Sequence, residues 1–250
     1  MAGTERGESL KRSLALLWDP PDEPTRGPRP SLSRERIVAA AIEIADAEGL
    51  VGLSMRRIAA ALGVGAMSLY RYVPGKDELI DLMVDQSYGE GVSLPTDGGW
   101  RQRLAAACRG EWQHYHRHPW LLHVAQGRPL LGPNSLRATE ETLRILDGLG
   151  LDGREMIDVL VTTSSWVAGL ARTSLEASLA EADTGVSDEE WWDAQRPYME
   201  DVMAGERYPM LARVAEAGGF EGSSERSFEF GLARILDGIQ DLVEARSTSR

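Results

Sequence analysis

LSMRRIAAALGVGAMSLYRYVPGKDELIDLM, residues 53–83, is the stretch whose reading decides the fold. Met55, Ile58, Ala59 and Leu62 recur at i, i+3, i+4, i+7, the period of a helix that buries one face. Ser54 stands at the N-cap position, where its hydroxyl can take up a free amide of the first turn. Gly63 and Val64 interrupt the pattern. A second short helix is then expected over 65–72, ending before Pro74 and Gly75. Two short helices joined by a tight, glycine-containing turn are the minimum of a helix-turn-helix. Ala59 and Ala60 let the helices cross closely. Gly65 and Ala66 keep the leading end of the second one slim enough for a major groove about 12 Å wide.

Outward from this unit the helical period continues. Ser33 is placed to cap a helix whose stripe of Ile37, Ala41, Ile44 and Ala45 stops at Gly49, and a further helix is expected over 76–88. Residues 1–30 carry Pro20, Pro21, Pro24, Pro28 and Pro30 among polar filler and read as a flexible tail, with one or two helical turns at most over 10–18. Residues 89–99 read as a connector. Beyond it, helices are expected over 100–117, 120–126, 133–146, 153–181, 189–204, 208–217 and 224–245. No stretch alternates with period two, so no sheet is expected. The chain is therefore read as all-α: a three-helix helix-turn-helix domain over 31–88, then a helical ligand-binding and dimerisation domain over 100–246.

A net charge of −12 argues at first against nucleic acid. Its distribution along the chain points the other way. Residues 1–80 hold 11 of the 27 basic and 11 of the 39 acidic side chains, so the whole excess lies in residues 81–250. Between Leu53 and Lys76 there are four basic residues, Arg56, Arg57, Arg71 and Lys76, and no acid. Such a window can meet phosphates while an acidic body discourages non-specific binding. Runs such as Val159–Val161 fall far short of the ~20 apolar residues of a membrane span. The start does not resemble a signal peptide. A lone cysteine, Cys108, rules out an internal disulfide and fits a reducing compartment. A soluble, cytoplasmic protein is expected.

Positions on the helix-turn-helix suggest roles. Leu69 faces inward against Ile58 and Leu62. Ala66, Met67 and Ser68 lie near the leading end of the reading helix, the first two suited to a thymine methyl and Ser68 to a base edge. Tyr70 and Tyr72 carry hydroxyls within reach of phosphate or base. Ser54, Arg56 and Lys76 are phosphate candidates, Arg56 being equally suited to a guanine. Each also has a plain structural role: Ser54 caps its helix in any event, and the tyrosines can edge a core.

Residues 33–80 closely resemble the DNA-binding domain of the TetR family of regulators. The resemblance is carried by Ser-x-Arg-Arg-Ile-Ala, Leu-Gly-Val at the turn, Ser-Leu-Tyr-Arg-Tyr-Val on the reading helix and Gly-Lys-Asp-Glu-Leu opening the next. It implies DNA contacts at Ser54, Arg56, Ala66, Met67, Ser68, Tyr70, Tyr72 and Lys76. More weakly, HRHPWLLH…GRPLLGPNSLRATEETLRIL and FEFGLARILDGIQDLV resemble the tetracycline-repressor-type C-terminal domain. That implies an all-helical ligand-binding and dimerisation domain without naming the ligand. Tetracycline repressors use a histidine at the end of the fourth helix; residues 88–92 hold none, which argues against tetracycline.

Phe228, Leu232, Ile235, Ile239 and Leu242 step by +4, +3, +4, +3, a 3.5-residue seam with Gly231 and Gly238 beside it. With the helix over 153–181, apolar on more than one face, it suggests a four-helix interface between two subunits. A two-fold dimer would set two reading helices about 34 Å apart, matching a palindrome. Candidates to line an effector pocket are Trp112, Tyr115, Trp120, His123, Trp166, Arg172, Trp191 and Tyr198, with Arg172 as polar anchor or as a partner to an acid at the seam. Glu111, His114 and His118 share a helix face in metal-ligand spacing. Pro119 interrupts the set and no second ligand cluster accompanies it, so no metal or cofactor is expected.

These readings converge on a sequence-specific DNA-binding regulator, a repressor released from a palindromic operator by a small molecule. A helical enzyme fused to the reader is the rival. The sequence offers it no phosphate loop, nucleophile elbow or cysteine–metal spacing. A regulator that binds DNA without any effector is a third reading.

Overall fold

Ser33 and Ser54 each open a helix by the same device. Ser33 Oγ accepts the amide of Arg36 at 3.3 Å and Ser54 Oγ that of Arg57 at 3.3 Å, so two of the free first-turn donors are met. These caps set α2 (Arg34–Gly52) and α3 (Met55–Ala61) in a computed structural model that describes residues 2–18, 32–91, 95–124, 131–204, 207–220 and 222–248. Gly63, at φ +68°, makes the turn after α3 in the left-handed region that only glycine enters without strain. Then comes α4 (Ala66–Leu69), and α5 (Lys76–Gly89) closes the group. Ile37, Ala41, Leu53, Ile58, Leu69, Val73, Leu79 and Met83 form its core.

The helix expected over 65–72 is shorter than its pattern suggests. After Leu69 the chain continues as turns, with Tyr72 N and Val73 N donating to Leu69 O at 2.9 and 3.0 Å. Val73 is fully buried and precedes Pro74, whose ring disfavours a helical conformation there.

The expected tail differs more. Over its described part it is α1 (Ala2–Trp18), packed along α5. Ser9 Oγ and Arg12 Nε donate to Glu78 Oε1 at 2.9 and 2.8 Å, and Ser13 Oγ donates to Asp81 at 2.5 Å. Arg34 reaches back to the Leu16 carbonyl at 2.9 Å, and Trp18 Nε1 donates to the Leu131 carbonyl at 2.9 Å. Leu14, Leu16 and Leu17 are half-buried while Leu10 and Trp18 remain exposed, so α1 docks through polar bonds beside a short leucine stripe, and hydrophobic periodicity registers only the second. Residues 19–31 lie outside the described part.

Further helices are α6 (Trp100–Arg117), α7 (Pro133–Leu146), α8 (Gly153–Thr184), α9 (Asp188–Ala204), α10 (Pro209–Glu216) and α11 (Ser224–Thr248). The helix expected over 120–126 is instead a 3-10 turn at Pro119–His123 that ends at an extended Val124, residues 125 and 126 lying outside the described part. Among the described residues there is no strand. The chain divides into two compact units, residues 1–160 and 161–250, the division falling inside α8. In the first unit α5 is a shaft shared by α1, α2 and α7. Its buried Asp85 caps α7, accepting the amides of Asn134 and Ser135 at 3.0 Å each. In the second unit α8 meets α11, where Trp166 stacks on Phe228 with ring centroids 5.1 Å apart.

Candidate nucleic-acid interface

Leu69, Ile58 and Val73 are wholly buried and fix α4 against α3, so the opposite side of α4 faces outward. There Met67 is 78% exposed and Tyr70 44% exposed, while Ala66, Ser68 and Tyr72 are half-buried. A thioether held in solvent on a helix whose other large residue is core has no packing role to explain it. It presents an apolar tip of the kind a thymine methyl contacts.

The basic residues fall into two groups. Arg57 is paired with Glu48, and Lys76 Nζ donates to the Leu50 carbonyl at 2.9 Å, closing the end of α2. Arg56 is exposed and makes no hydrogen bond or ion pair among the described residues; the same is true of Arg71, which follows Tyr70. A guanidinium without an acid is free to meet phosphate or a guanine edge. Arg71 is an exposed cation beside α4 that motif spacing does not single out. Its one signal in the sequence is membership of the acid-free window. Ser54, exposed, spends its hydroxyl on the cap.

A second set of residues lies on α6. Arg103 Nε and His114 Nε2 are buried with no partner among the described residues. Eleven residues is about three helical turns, so the two share a face about 16 Å apart along the axis. The Tyr88 ring lies 5.4 Å from that of His114. Burial pushes the Tyr88 hydroxyl up to about 12, with the Glu111 charge adding to it. Burial likewise pushes the His114 ring down to about 4, helped by His118 beside it. His114 is therefore neutral at pH 7, with one ring nitrogen unsatisfied. Sequence periodicity marks which face is apolar, not which polar atoms end up without partners.

The expected pocket residues are placed unevenly. In the first unit Trp112, Tyr115 and Trp120 are core, Trp120 donating to Asp46 Oδ1 at 2.8 Å, and His123 is exposed. In the second unit Trp166 is half-buried against Phe228, and Arg172, Trp191 and Tyr198 are exposed. Of the expected dimer seam, Phe228, Leu232 and Ile239 are buried within the single chain, together with Leu236 and Val243. Ile235 and Leu242 lie half-buried at the margin of that face. Gly231 is held by its own chain, since a Cβ there would meet Trp166 Cζ2 at 2.6 Å. His116 Nδ1 is bonded to the Trp112 carbonyl at 2.9 Å. Among the described residues no three His, Cys, Asp or Glu side chains are arranged to hold a metal ion, and no helix is long and apolar enough to cross a membrane.

Residues 37–83 match the family model for bacterial regulatory proteins of the tetR family, and residues 93–243 match that of the tetracyclin repressor-like C-terminal domain. The chain belongs to the TetR family. It is a DNA-binding transcriptional regulator with an N-terminal helix-turn-helix and a C-terminal helical domain. Among TetR-family relatives, the HTH-type transcriptional repressor DrrR1 of Streptomyces coeruleorubidus is 47% identical over 245 residues, covering 97% of this chain and 90% of that one. Apo ActR of Streptomyces coelicolor superposes with a TM-score of 0.68 at 32% identity, over 85% of this chain and 98% of ActR. ActR in complex with actinorhodin gives a TM-score of 0.69 at 32% identity, over 84% of this chain and 95% of that one.

Proposed function

We propose that this TetR-family chain is a cytoplasmic, homodimeric repressor that reads a palindromic operator and leaves it when a small molecule binds. The observation that carries the reading is the outward face of α4: exposed Met67 and Tyr70, half-buried Ala66, Ser68 and Tyr72, with unpaired Arg56 and Arg71 nearby. Met67, Ala66 and Ser68 take base edges; Tyr70 and Tyr72 take base or phosphate. Arg56, Arg71, Ser54 and Lys76 take phosphates, Lys76 by exchanging the Leu50 carbonyl for one. The functional units are residues 31–88 for DNA and 100–246 for effector and partner.

The name of DrrR1 supports repression, and the complex of ActR with actinorhodin supports release by a small molecule. On this chain the α6 face with Arg103 and His114 is the effector site we favour, because a ligand oxygen at each end would satisfy a donor or acceptor that is costly to leave buried. Trp112, Tyr115, Trp120 and His123 belong to the same unit as that face. Trp166, Arg172, Trp191 and Tyr198 belong to the second unit. Dimerisation uses α8 and α11, with Ile235 and Leu242, at the edge of the buried stripe, turned to the partner and Phe228, Leu232 and Ile239 supporting them from beneath. The chain is read as non-enzymatic, with no cofactor.

Sedimentation and a salt series test this together. The expected result is a dimer that protects a two-fold symmetric site, with affinity falling steeply as salt rises. Equal affinity for that site and for random duplex would sink the sequence-specific claim.

A further inference from the structure

His118 sits where three elements meet and is 2% exposed. Its Nδ1 lies 2.8 Å from Asp46 Oδ1 on α2, and its Nε2 lies 3.0 Å from Glu90 Oε2 at the C-cap of α5. His118 itself ends α6 and opens the 3-10 turn. We propose that His118 is a positioning residue: a proton-dependent bridge that fixes α2 of the DNA-reading unit to α5 and α6, and so passes the state of α6 to the reading helix. The inference rests on the functional reading above for its consequence on DNA, but not for the bridge itself.

The proton follows from hydrogen-bond stoichiometry. An ionised carboxylate only accepts, and a neutral imidazole has a single N–H to give. Both contacts are made at once only if the Asp46–His118–Glu90 set carries one proton more than a neutral ring between two carboxylates. The surroundings do not supply that donor. Trp120 Nε1 already donates to the same Asp46 Oδ1 at 2.8 Å, and Arg117 reaches Glu90 Oε2 only at 3.9 Å. His114, one turn back on α6, faces His118 edge-on with ring centroids 5.2 Å apart and is neutral at pH 7. Among the described residues these are the charged and titratable groups brought against the bridge from α2, α5, α6 and the 3-10 turn.

The position gives the bridge its use. Asp46 lies on α2, whose buried side is part of the core that holds α3 and α4. His114, whose Nε2 is buried and unpartnered, lies one turn from His118 on α6. A ligand that engages His114 and shifts the end of α6 would pull on Asp46 through His118 and Trp120. Two reading helices must match successive grooves, so a bridge that fixes α2 favours DNA binding, and its loss lowers affinity.

Glu90→Gln separates this bridge from mere packing. A glutamine amide donates to a neutral ring, so the bridge closes without the extra proton. Full-length protein is titrated from pH 6 to 9 with a duplex obtained by selection from a random pool, and the hydrogen-exchange protection of α2, taken relative to the intrinsic exchange rate at each pH, is followed over the same range without DNA. For the wild type we expect affinity about 5- to 10-fold lower, and α2 less protected, wherever the Asp46–His118–Glu90 set lacks that proton. Glu90→Gln should keep both readouts flat and high; His118→Gln should hold both low throughout. A wild-type profile parallel to that of Glu90→Gln in both readouts overturns the bridge. If no duplex is selected, the DNA reading fails while the exchange profile still decides whether the bridge exists. Exchange that responds while affinity does not would overturn the coupling.

Discussion

Asp85 holds Asn134 twice, accepting its backbone amide at Oδ1 and its side-chain amide at Oδ2, each at 3.0 Å. The amide of Ser135 adds a third bond at 3.0 Å. One buried carboxylate on α5 thereby closes the start of α7, where free amides and the helix dipole favour negative charge. Asp85→Ala should cost about 3 kcal/mol, because bonds to a buried charged group are worth more than neutral ones. A Cβ on Gly132 would overlap Asp85 Oδ1, so Gly132→Ala should destabilise in the same direction. Chemical denaturation of both single variants and the double variant checks this, and the double should cost less than the sum.

Acid should loosen the first unit through two groups. Burial opposes the charge of Glu78, but its own backbone amide, Arg12 and Ser9 bond to it, and together with the Arg12 charge they hold its carboxyl below the usual range. Its contribution is present above the unfolded value of 4.5 and is lost as pH falls through the lower folded value. His114 acts with the same sign: its ring takes up a proton in the unfolded chain near 6.5 but in the folded chain only near 4, so stability falls with pH across that window. Thermal unfolding from pH 7 to 4 should show a slope that His114→Gln reduces. Below the ordinary Glu range, wild-type Trp18 emission should report undocking of α1, and Glu78→Gln should undock it already at neutral pH.

Cys108 is 3% exposed, and burial pushes its thiol up to about 12, with Glu111 adding to the shift. It should be inert to thiol reagents at pH 8 in the folded protein. A disulfide-exchange reagent should modify it roughly 100-fold faster after denaturation than before, since only the thiolate attacks.

Much of this architecture is legible because it is written in periodicity. Ser33, Ser54, Gly63 and the spacing of Ile58 and Leu69 announce α2 to α4, and the turn residues bound α6 through α11 within a few positions. α1 is not legible. Ser9, Arg12 and Ser13 dock on Glu78 and Asp81 through polar bonds that no hydrophobic pattern encodes. The seam on α11 shows a subtler limit. A 3.5-residue and a 3.6-residue stripe share Phe228, Leu232 and Ile239 and part at Ile235 against Leu236 and at Leu242 against Val243, so spacing alone does not choose the buried face. Likewise, no spacing rule reveals that Lys76 and Arg57 are engaged by Leu50 and Glu48 while Arg56 and Arg71 make no such contact among the described residues.

That difference has a direct consequence on DNA. Arg71→Ala should weaken binding to every duplex alike and lower the slope of log affinity against log salt by about one per contact. Arg56→Ala should do the same or, if it reads a guanine, relax one position of the site at a cost of about 1–3 kcal/mol. Lys76→Ala should weaken binding less, because its ammonium must first leave the Leu50 carbonyl. Fluorescence anisotropy over a salt series measures all three.

The claim on which the rest depends is that the outward face of α4 reads sequence. Selection of bound sites from a random duplex pool tests it most directly, run with the wild type and with a variant carrying Met67→Gln and Ser68→Ala. Both side chains lie away from the core, so the variant should fold as the wild type does. The wild type should enrich an inverted repeat with half-sites about one helical turn apart, and the variant an inverted repeat of the same spacing that differs at the positions nearest α4. No enrichment with the wild type, or the same repeat from both proteins, would contradict the claim.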